Sequence, residues 1–310
     1  MSKRCIILNP RAGRGLAEQH RPALEHALHR AGLSFDLVTT HTDRGATTLA
    51  SQAIEQGYRQ IIAVGGDGTF HEVINGIFSS RGPRGGEREG VALGLVAMGT
   101  GNDFIKSLDG MKPGDISGTV RRLAEGRTRM IDVGRLTITT ARGTSTRYLL
   151  NDLGIGIHAL VAQEVLKLTR LRGAMVYAVA VLRALAVYRP RRMTVACEGH
   201  EISRKFFLVS AGNGRCQGAG FRLTPDALLD DGLLDLCLVG AVRLDEMIRY
   251  FPRVLKGTHT RLSPVRMLRT RRAVVESDTP MLVSSDGEVV ATDAHRVEVE
   301  AIPQALELIV

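Results

Sequence analysis

The sequence has no tryptophan, few aromatic side chains and only four cysteines. Aromatic residues make up 4% of the 310 residues, so few rings are available to stack on bases, and nucleic acid is not an expected partner. The cysteines, Cys5, Cys197, Cys216 and Cys237, are far apart and form no CxxC pair. This spacing indicates neither a zinc site nor a disulfide framework, and we expect a reducing compartment.

Long apolar runs are also missing. The first basic residues are followed by only four apolar residues, 5–8, which are too few for the core of a signal peptide. The longest apolar stretch, residues 173–188, is interrupted by Arg183, so a membrane-spanning helix is not expected. These absences predict a soluble, cytoplasmic protein.

The charge is biased towards arginine. The chain carries 41 Lys and Arg against 32 Asp and Glu, a formal net charge of +9, and only six of the basic residues are lysines. Arginine suits phosphate groups because its planar fork forms paired hydrogen bonds with them. The composition therefore favours a phosphate-bearing partner such as a nucleotide or an anionic lipid surface.

Strand-like and helix-like segments alternate in the first part of the chain. The predicted strands are residues 4–8, 35–39, 60–64 and 91–96, and the predicted helices are residues 16–30, 46–56 and 69–78. Such alternation is typical of a parallel sheet with helices on both faces.

The pattern changes near residue 128. The predicted strands there are residues 129–139, 147–157, 192–198, 201–210, 233–239, 266–270, 273–276, 281–283 and 289–300. Two helical segments, near residues 173–188 and 244–255, interrupt them. This pattern predicts a mostly β second domain.

Three glycine-rich turns follow predicted strands of the first part. The strongest is Gly65-Gly66-Asp67-Gly68-Thr69, and the others lie at residues 9–15 and 98–104. Glycines at a strand-to-helix junction allow close approach of the backbone to an anion. Thr69 with Glu72, and Thr100 with Asp103, fit capping boxes. Because the carboxyl ends of parallel strands share one edge, the three turns predict a nucleotide site.

Other nucleotide motifs are absent or weak. The sequence has no GxxxxGK[ST] loop and no protein-kinase signature. The pattern Gly154-x-Gly156-x-x-Ala159 matches the dinucleotide fingerprint but falls in the β-rich half, where a strand ending in a turn is the better interpretation.

Six motifs resemble one known family, in its order. They are Asn9-Pro10-x-Ala12-Gly13; Gly65-Gly66-Asp67-Gly68-Thr69 with Glu72-Val73-Ile74-Asn75-Gly76; Gly99-Thr100-x-Asn102-Asp103-Phe104; Asn213-Gly214-x-x-x-Gly218-Ala219-Gly220; Pro225-Asp226-Ala227 with Asp230-Asp231-Gly232-x-Leu234-Asp235; and Asp286-Gly287-Glu288. They span nearly the whole chain and resemble the soluble lipid kinases with a diacylglycerol kinase catalytic domain, which include bacterial diacylglycerol kinases and relatives of sphingosine and ceramide kinases. His71 departs from the family, whose members usually carry Asn there.

The resemblance implies a fold and a cofactor. It implies a nucleotide-binding α/β domain like that of phosphofructokinases and NAD kinases in residues 1–127, to which residues 301–310 return, and a β-sandwich-like second domain in residues 128–300. The implied cofactor is ATP. Its implied site consists of Asn9, Pro10, Arg11, Ala12, Gly13, Thr40, Gly65, Gly66, Asp67, Gly68, Thr69, Phe70, His71, Glu72, Thr100, Asn102 and Asp103.

The catalytic and metal roles combine chemistry with this resemblance. Asp67, in a glycine turn at a phosphate site, is suited to bind Mg²⁺ directly or through water. By resemblance, the Asp231 carboxylate and the backbone oxygens of Leu228 and Leu233 hold a structural Mg²⁺. Glu288 follows an Asp-Gly pair typical of a hairpin turn. By resemblance it is the base that takes the proton of a lipid hydroxyl; by position alone it is an exposed strand residue.

The predicted function is ATP-dependent phosphorylation of a lipid hydroxyl. Diacylglycerol, phosphatidylglycerol, a sphingoid base and ceramide all remain open as the lipid, and the oligomeric state, including a homodimer, is open too. The alternatives are an NAD kinase-like or other small-alcohol kinase, and a non-catalytic nucleotide or lipid binder.

A lipid substrate requires access to a bilayer. Residues 167–192, an apolar helix between arginines, fit contact with an anionic membrane at its inner face or a position that lines the acyl-chain cleft. They fit a core helix of the second domain at least as well.

Overall fold

The computed structural model describes residues 4–80, 90–168 and 174–310. The chain divides into two compact units, one of Met1–Ile131 with Gln304–Val310 and the other of Asp132–Pro303. The sequence predicted divisions after residues 127 and 300. The sequence also predicts a glycine- and arginine-rich loop at residues 81–90, and all of it except Gly90 lies outside the described residues. Residues 169–173 of the apolar segment 167–192 lie outside them too.

The first unit alternates strands and helices. Its strands are β1 (Arg4–Leu8), β2 (Asp36–Thr39), β3 (Gln60–Gly65) and β4 (Ala92–Ala97), and its helices are α1 (Leu16–Arg30), α2 (Ala46–Glu55), α3 (Asp67–Ser79) and α4 (Ile116–Glu125). The strands pair in parallel in the order β4-β3-β1-β2. Their apolar runs are buried because helices cover the sheet.

The second unit is mostly antiparallel. Its elements are β5 (Thr128–Thr140), β6 (Gly143–Leu149), β7 (Asp152–Gly156), α5 (Ile157–Lys167), α6 (Ala174–Val187), β8 (Arg191–Cys197), β9 (His200–Gly212), β10 (Leu234–Gly240), α7 (Leu244–Lys256), β11 (Val265–Thr270), β12 (Arg272–Ser285) and β13 (Glu288–Ile309). The strand order is β11-β10-β9-β7-β12-β13, and β8 pairs with β9 and β12. Side chains from these strands form one buried cluster.

Strand β13 continues past the second unit. Its residues Glu307 and Leu308 pair in parallel with Ala92 and Leu93 of β4. The sequence predicted that the chain end returns to the first domain, but it placed the end of this strand at residue 300. The strand extends because residues 304–309 complete the edge of the parallel sheet.

Several predicted boundaries were wrong in the second unit. The single strand predicted at residues 147–157 is the end of β6 followed by β7, and α5 was not predicted. Conversely, the strands predicted at residues 273–276 and 281–283 form one strand, β12. Register shifts in its pairing with β13, at Glu276/Met281 and at Met281/Val283, disrupt the alternation that sequence periodicity depends on.

Helix α6 serves as a core helix on one face only. Val176, Ala180 and Ala184 are buried at a spacing of four residues, whereas Leu182 and Val187 are about two-thirds exposed. No helix in the described ranges has the length and hydropathy needed to cross a bilayer.

Candidate functional site

The loops that follow β1, β2, β3 and β4 emerge at one edge of the parallel sheet. Adjacent parallel strands bring their carboxyl ends together, and this is the edge at which α/β proteins bind ligands. Backbone hydrogen bonds continue the pairing beyond the strands: Thr40 N donates to Leu8 O at 2.9 Å, and Met98 N donates to Gly65 O at 2.7 Å. The predicted nucleotide-binding residues of all four loops are therefore neighbours.

Asn9 connects the first loop to α3. Its Nδ2 donates to Thr69 Oγ1 at 3.0 Å, and its Oδ1 accepts from the backbone N–H of Arg11 at 3.0 Å. The Arg11 guanidinium donates to Thr42 Oγ1 at 3.3 Å, so the first loop also contacts the loop after β2. These bonds hold an exposed arginine beside the start of α3, where an anion would be stabilised by the positive end of the helix.

Glycines allow the loops to approach each other closely. A Cβ atom on Gly99 would lie 2.4 Å from Gly66 Cα, and one on Gly66 would lie 2.9 Å from Gly99 Cα. Gly13 has a positive φ of 59°, and a Cβ there would lie 2.2 Å from Met98 O. Any other residue would push these backbones apart.

The Asp67 carboxylate joins two loops of the site. Its Oδ2 accepts from the backbone N–H of Asp103 at 3.1 Å, and its Oδ1 accepts from that of Phe104 at 3.2 Å. The side chain thus positions the loop after β4 and is also suited to the predicted contact with Mg²⁺.

The predicted capping boxes are wrong. Helix α3 begins at Asp67 with Gly66 as its N-cap, so Thr69 lies inside the helix. Glu72 instead accepts from the backbone N–H of Ala46 at 2.7 Å, at the start of α2. No α-helix begins at Thr100 in the described structure.

The loop after β4 has its own internal bonds. Asn102 Oδ1 accepts from Gly99 N at 2.8 Å, and Asn102 adopts a positive φ of 49°. Asp103 Oδ1 accepts from Lys106 Nζ at 2.8 Å. Thr100 is exposed at the tip of this loop. The loop therefore presents Thr100 to a ligand, while Asn102 and Asp103 set its shape.

Several predicted cofactor-binding residues are buried, namely Gly65, Thr69, Phe70, His71, Asn102 and Asp103. Phe70 is 1% exposed, so its side chain belongs to the hydrophobic interior and offers no surface to a nucleotide. His71 is 5% exposed, and its Nε2 lies 3.4 Å from Asn75 Nδ2 one turn along α3. Among the other predicted residues, Pro10, Ala12 and Gly68 are partly exposed.

The predicted metal ligands lie in the second unit, before β10. Asp231 Oδ1 accepts from Leu233 N at 3.0 Å, and Asp231 forms an ion pair with Arg269. Gly232 N donates to Asp132 Oδ2 at 2.6 Å. Leu228 is 43% exposed. Carboxylate and carbonyl oxygens are the donors that Mg²⁺ prefers, but the described residues include no cluster of three or more His, Cys, Asp or Glu suited to a metal.

Asp235 adds a buried carboxyl to this region. It is 5% exposed and lies 3.6 Å from the Arg269 guanidinium. Burial raises the pKa of Asp235 to about 6; Arg269 opposes this rise, and Asp231 and Asp226 add to it. Arg269 thus bridges two carboxylates. Sequence reasoning missed it because Arg269 is distant in sequence from both.

Glu288 is the first residue of β13 and is exposed. The predicted Asp-Gly hairpin turn is confirmed, since Ser285 pairs with Glu288 and both Asp286 and Gly287 have positive φ. Asp231 lies shortly before β10, and Glu288 is the first residue of β13. These two strands are not neighbours in the sheet.

The Asp286 carboxylate anchors this turn. It is 3% exposed and accepts from the backbone N–H groups of Leu150, Asn151 and Asp152 at 2.8–3.0 Å. Three such bonds hold the turn, and with it the backbone of Glu288, against the start of β7 and the two residues before it.

Two family models together match nearly the whole chain. The diacylglycerol kinase catalytic domain matches residues 3–136, and the YegS C-terminal NAD kinase beta sandwich-like domain matches residues 151–310. A diacylglycerol kinase of Staphylococcus saprophyticus is 30% identical over 290 residues, which cover 93% of this chain and 90% of that protein. The chain belongs to the diacylglycerol kinase family.

Other relatives agree with this assignment. A diacylglycerol kinase of Staphylococcus aureus is 29% identical over 291 residues, covering 93% of this chain and 87% of that protein. A crystal structure of a diacylglycerol kinase from Bacillus anthracis has a TM-score of 0.71 at 19% identity, covering 99% of this chain and 96% of that one. A second Bacillus anthracis structure has a TM-score of 0.77 at 20% identity with the same coverage. The two-domain α/β and β organisation predicted from the sequence is confirmed.

This member of the diacylglycerol kinase family has a buried polar chain near the Glu288 turn that the sequence did not reveal. His158 Nδ1 lies 3.0 Å from Ser284 Oγ, and its Nε2 lies 3.3 Å from Asp152 Oδ2. Burial lowers the pKa of His158 to about 4, despite the nearby carboxylate. The nearby sequence feature that reflects this arrangement is Gly154, because a Cβ atom there would lie 1.7 Å from His158 Nδ1. The glycines of the dinucleotide-like pattern thus serve packing.

Proposed function

We propose that this protein is an ATP-dependent kinase that transfers the γ-phosphate of ATP to the hydroxyl of diacylglycerol or a related lipid. The observation that carries the proposal is the family match over both domains. Four loops that meet at one sheet edge, with the exposed Arg11 in the first, support a polyphosphate site. An intact Asp-Gly-Glu turn in the second unit supports catalysis.

The ATP site is assigned to the sheet edge of the first unit. Asn9, Arg11 and Gly13 of the first loop, Thr40 of the second, and Gly66, Asp67 and Thr69 after β3 surround the start of α3. Backbone N–H groups there and the Arg11 guanidinium bind phosphate oxygens. Thr100 completes the site from the loop after β4.

The residues present fit Mg²⁺ in two places. Asp67 places a carboxylate beside the phosphate loops, and Asp231 with the backbone oxygens of Leu228 and Leu233 offers oxygen donors in the second unit. When bound, Mg²⁺ neutralises charge on the phosphates during transfer. Arg269 competes for the Asp231 carboxylate, so we expect metal binding there to weaken that ion pair.

Glu288 is assigned as the general base. An exposed carboxylate at the end of a hairpin is accessible to a substrate hydroxyl and takes its proton as the phosphorus–oxygen bond forms. Asp286 positions it by fixing the turn.

The substrate is proposed to be presented at an anionic membrane surface, to which exposed Leu182 and Val187 of α6 and nearby Arg183 contribute contacts.

Glu288→Gln tests this assignment. The amide keeps the size of the side chain but does not take up a proton, so turnover should fall about 10²- to 10⁴-fold while ATP affinity stays unchanged. Labelled ATP, Mg²⁺ and a lipid panel, with mass spectrometry of the product, measure turnover and identify the lipid. Glu276→Gln, an exposed change on the neighbouring strand β12, is the control. Turnover of Glu288→Gln within a few-fold of the wild type would refute the role.

A further inference from the structure

A histidine connects the two strands that support the hairpin turn of residues 285–288. His158 is the second residue of α5, directly after the end of β7. Its Nδ1 lies 3.0 Å from Ser284 Oγ in β12, and its Nε2 lies 3.3 Å from Asp152 Oδ2 at the start of β7. The proposed mechanism does not yet use this buried polar chain.

Both partners of this histidine hold the turn. Asp152 N donates to Asp286 Oδ1, and Asp286 N donates to Asp152 O, each at 2.9 Å. Ser284 directly precedes the turn and pairs with Val289 of β13. A shift of either partner would therefore move the backbone of Glu288, which closes the turn.

The proton on the imidazole ring is placed by its surroundings. Burial lowers the pKa of His158 to about 4, so the ring is neutral near pH 7 and carries one N–H. The Asp152 carboxylate accepts but does not donate, which favours the proton on Nε2 and leaves Nδ1 to accept from the Ser284 hydroxyl. The other acceptor near that hydroxyl is Gly154 O, at 3.3 Å.

These residue types are those of a hydrolytic Ser-His-Asp triad, but their position excludes that chemistry. A nucleophilic serine must be reached by its substrate, whereas Ser284 is 0% exposed. Asp152 is buried as well. The chain is therefore suited to fixing the position of the two strands and not to a reaction of its own.

We propose that His158 is a positioning residue for Glu288: it holds Ser284 against β7 and thereby fixes the turn that carries the base. This inference rests on the proposed function, in which Glu288 takes the proton of the lipid hydroxyl. Such a transfer requires the carboxylate within hydrogen-bond reach of the hydroxyl. A misplacement of about 1 Å is enough to cost about 10²-fold in rate.

Replacement of the ring tests the role of Nδ1. His158→Leu removes both polar contacts, and we expect turnover at saturating ATP and lipid to fall about 10- to 100-fold. The KM for ATP should stay within twofold, because the proposed ATP site consists of loops of the first unit. His158→Asn brings an acceptor oxygen close to the position of Nδ1, so it should recover most of the turnover. Equal losses in the two variants would overturn the proposal.

The Glu288→Gln background shows whether the effect passes through the base. Without a base to position, His158→Leu should change the residual turnover by less than about twofold, since two residues that act through one group are not additive. A further fall by the full factor seen in the wild-type background would place the action of His158 elsewhere and contradict the proposal.

Amide hydrogen exchange measures the positioning without turnover. In His158→Leu we expect residues 284–289 to exchange at least about tenfold faster than in the wild type. His259→Leu is the control, because His259 is also buried in the second unit but contacts Cys237 of β10. It should leave the exchange of residues 284–289 unchanged.

The exchange result separates this inference from the proposed function. Wild-type exchange of residues 284–289 in His158→Leu overturns the positioning role, even if the protein is an active lipid kinase. Faster exchange in the variant, together with a wild-type protein that phosphorylates no lipid, supports the link between His158 and the turn and disproves the proposed function.

Discussion

At the scale of single residues, carboxylates of this protein combine structural and chemical roles. Asp67 accepts hydrogen bonds from two backbone N–H groups of the loop after β4, and Asp286 accepts three from residues 150–152, at the start of β7. Both residues stand in motifs that sequence reasoning selected for chemistry. Their bonds show that substitution there changes loop position as well as charge.

Asp67→Asn separates the two roles. The amide keeps one acceptor oxygen, so part of the loop contact survives, but the negative charge that favours Mg²⁺ is lost. Turnover with saturating ATP should fall at least about 10²-fold, while the urea midpoint changes little. Raising the Mg²⁺ concentration should recover part of the activity. Wild-type turnover at ordinary Mg²⁺ would show that Asp67 acts only through the loop.

Asp235 predicts a pH dependence of stability. Its folded pKa, about 6, lies above its ordinary value because the carboxyl is buried, so the folded state binds the proton more tightly than the unfolded state. Its contribution to stability is therefore largest below about pH 4, falls as the pH rises to about 6, and is constant above that. Urea unfolding at pH 4, 5 and 6.5 should show this decrease, and Asp235→Asn should reduce it. An identical pH profile in both proteins would show that Asp235 titrates normally.

At the scale of elements, the sheet edge depends on close contact between two loops. The backbones at Gly66 and Gly99 meet where neither tolerates a Cβ atom. Strand order explains the contact, because β3 and β4 are adjacent and parallel. The spacing of the glycines thus reflects packing between loops as well as approach to a ligand.

Gly99→Ala should separate the loops after β3 and β4. The added Cβ would overlap the Gly66 backbone, so we expect a loss of roughly 1–3 kcal/mol in the free energy of unfolding and a weaker affinity for ATP. Gly110→Ala, at a positive φ but in open space, should cost only about 1 kcal/mol and leave ATP binding intact. Denaturant unfolding and nucleotide titration measure both effects. Equal ATP affinity in the two variants would argue against the loop contact as part of the site.

At the scale of the whole molecule, the net charge of +9 is spread over a protein with a proposed polyphosphate site and a proposed membrane contact. Many of its arginines pair with carboxylates on the surface, as Arg272 does with Glu298 at 2.7 Å. Such exposed pairs contribute little to stability. We propose that the surplus positive charge attracts the protein to anionic surfaces.

Vesicle binding tests this attraction. Association with vesicles that contain phosphatidylglycerol should fall as salt rises from 0.05 to 0.5 M, roughly the range in which charges are progressively screened, and should be weak on neutral vesicles. Leu182→Asp should reduce binding further by placing a charge on the exposed face of α6. Binding that does not depend on salt would assign the contact to the apolar face alone.

The fold was predictable where the pattern of apolar residues along the sequence was clear. Helix α1 and strand β1 were predicted with the observed bounds because their periodicity is uninterrupted. The prediction was wrong at residues 147–157, where β7 passes directly into α5 and an apolar run does not distinguish a strand from a buried helix. The capping box predicted at Thr69 was wrong because Thr69 accepts from Asn9 and Glu72 accepts from Ala46. The one predicted at Thr100 was wrong because no α-helix begins there in the described residues.

The sequence by itself indicated the family through six motifs in the family's order, and its periodicity predicted an α/β part followed by a mostly β part. By that resemblance it also predicted the residues of the candidate nucleotide site. Only the tertiary structure decided which of those side chains are turned inward, as Phe70 is, and which carboxylates receive backbone bonds. It alone revealed Arg269 beside Asp231 and Asp235, and His158 beside Ser284. Such contacts join residues far apart in the chain, and their geometry is set by strand order, which no local pattern encodes.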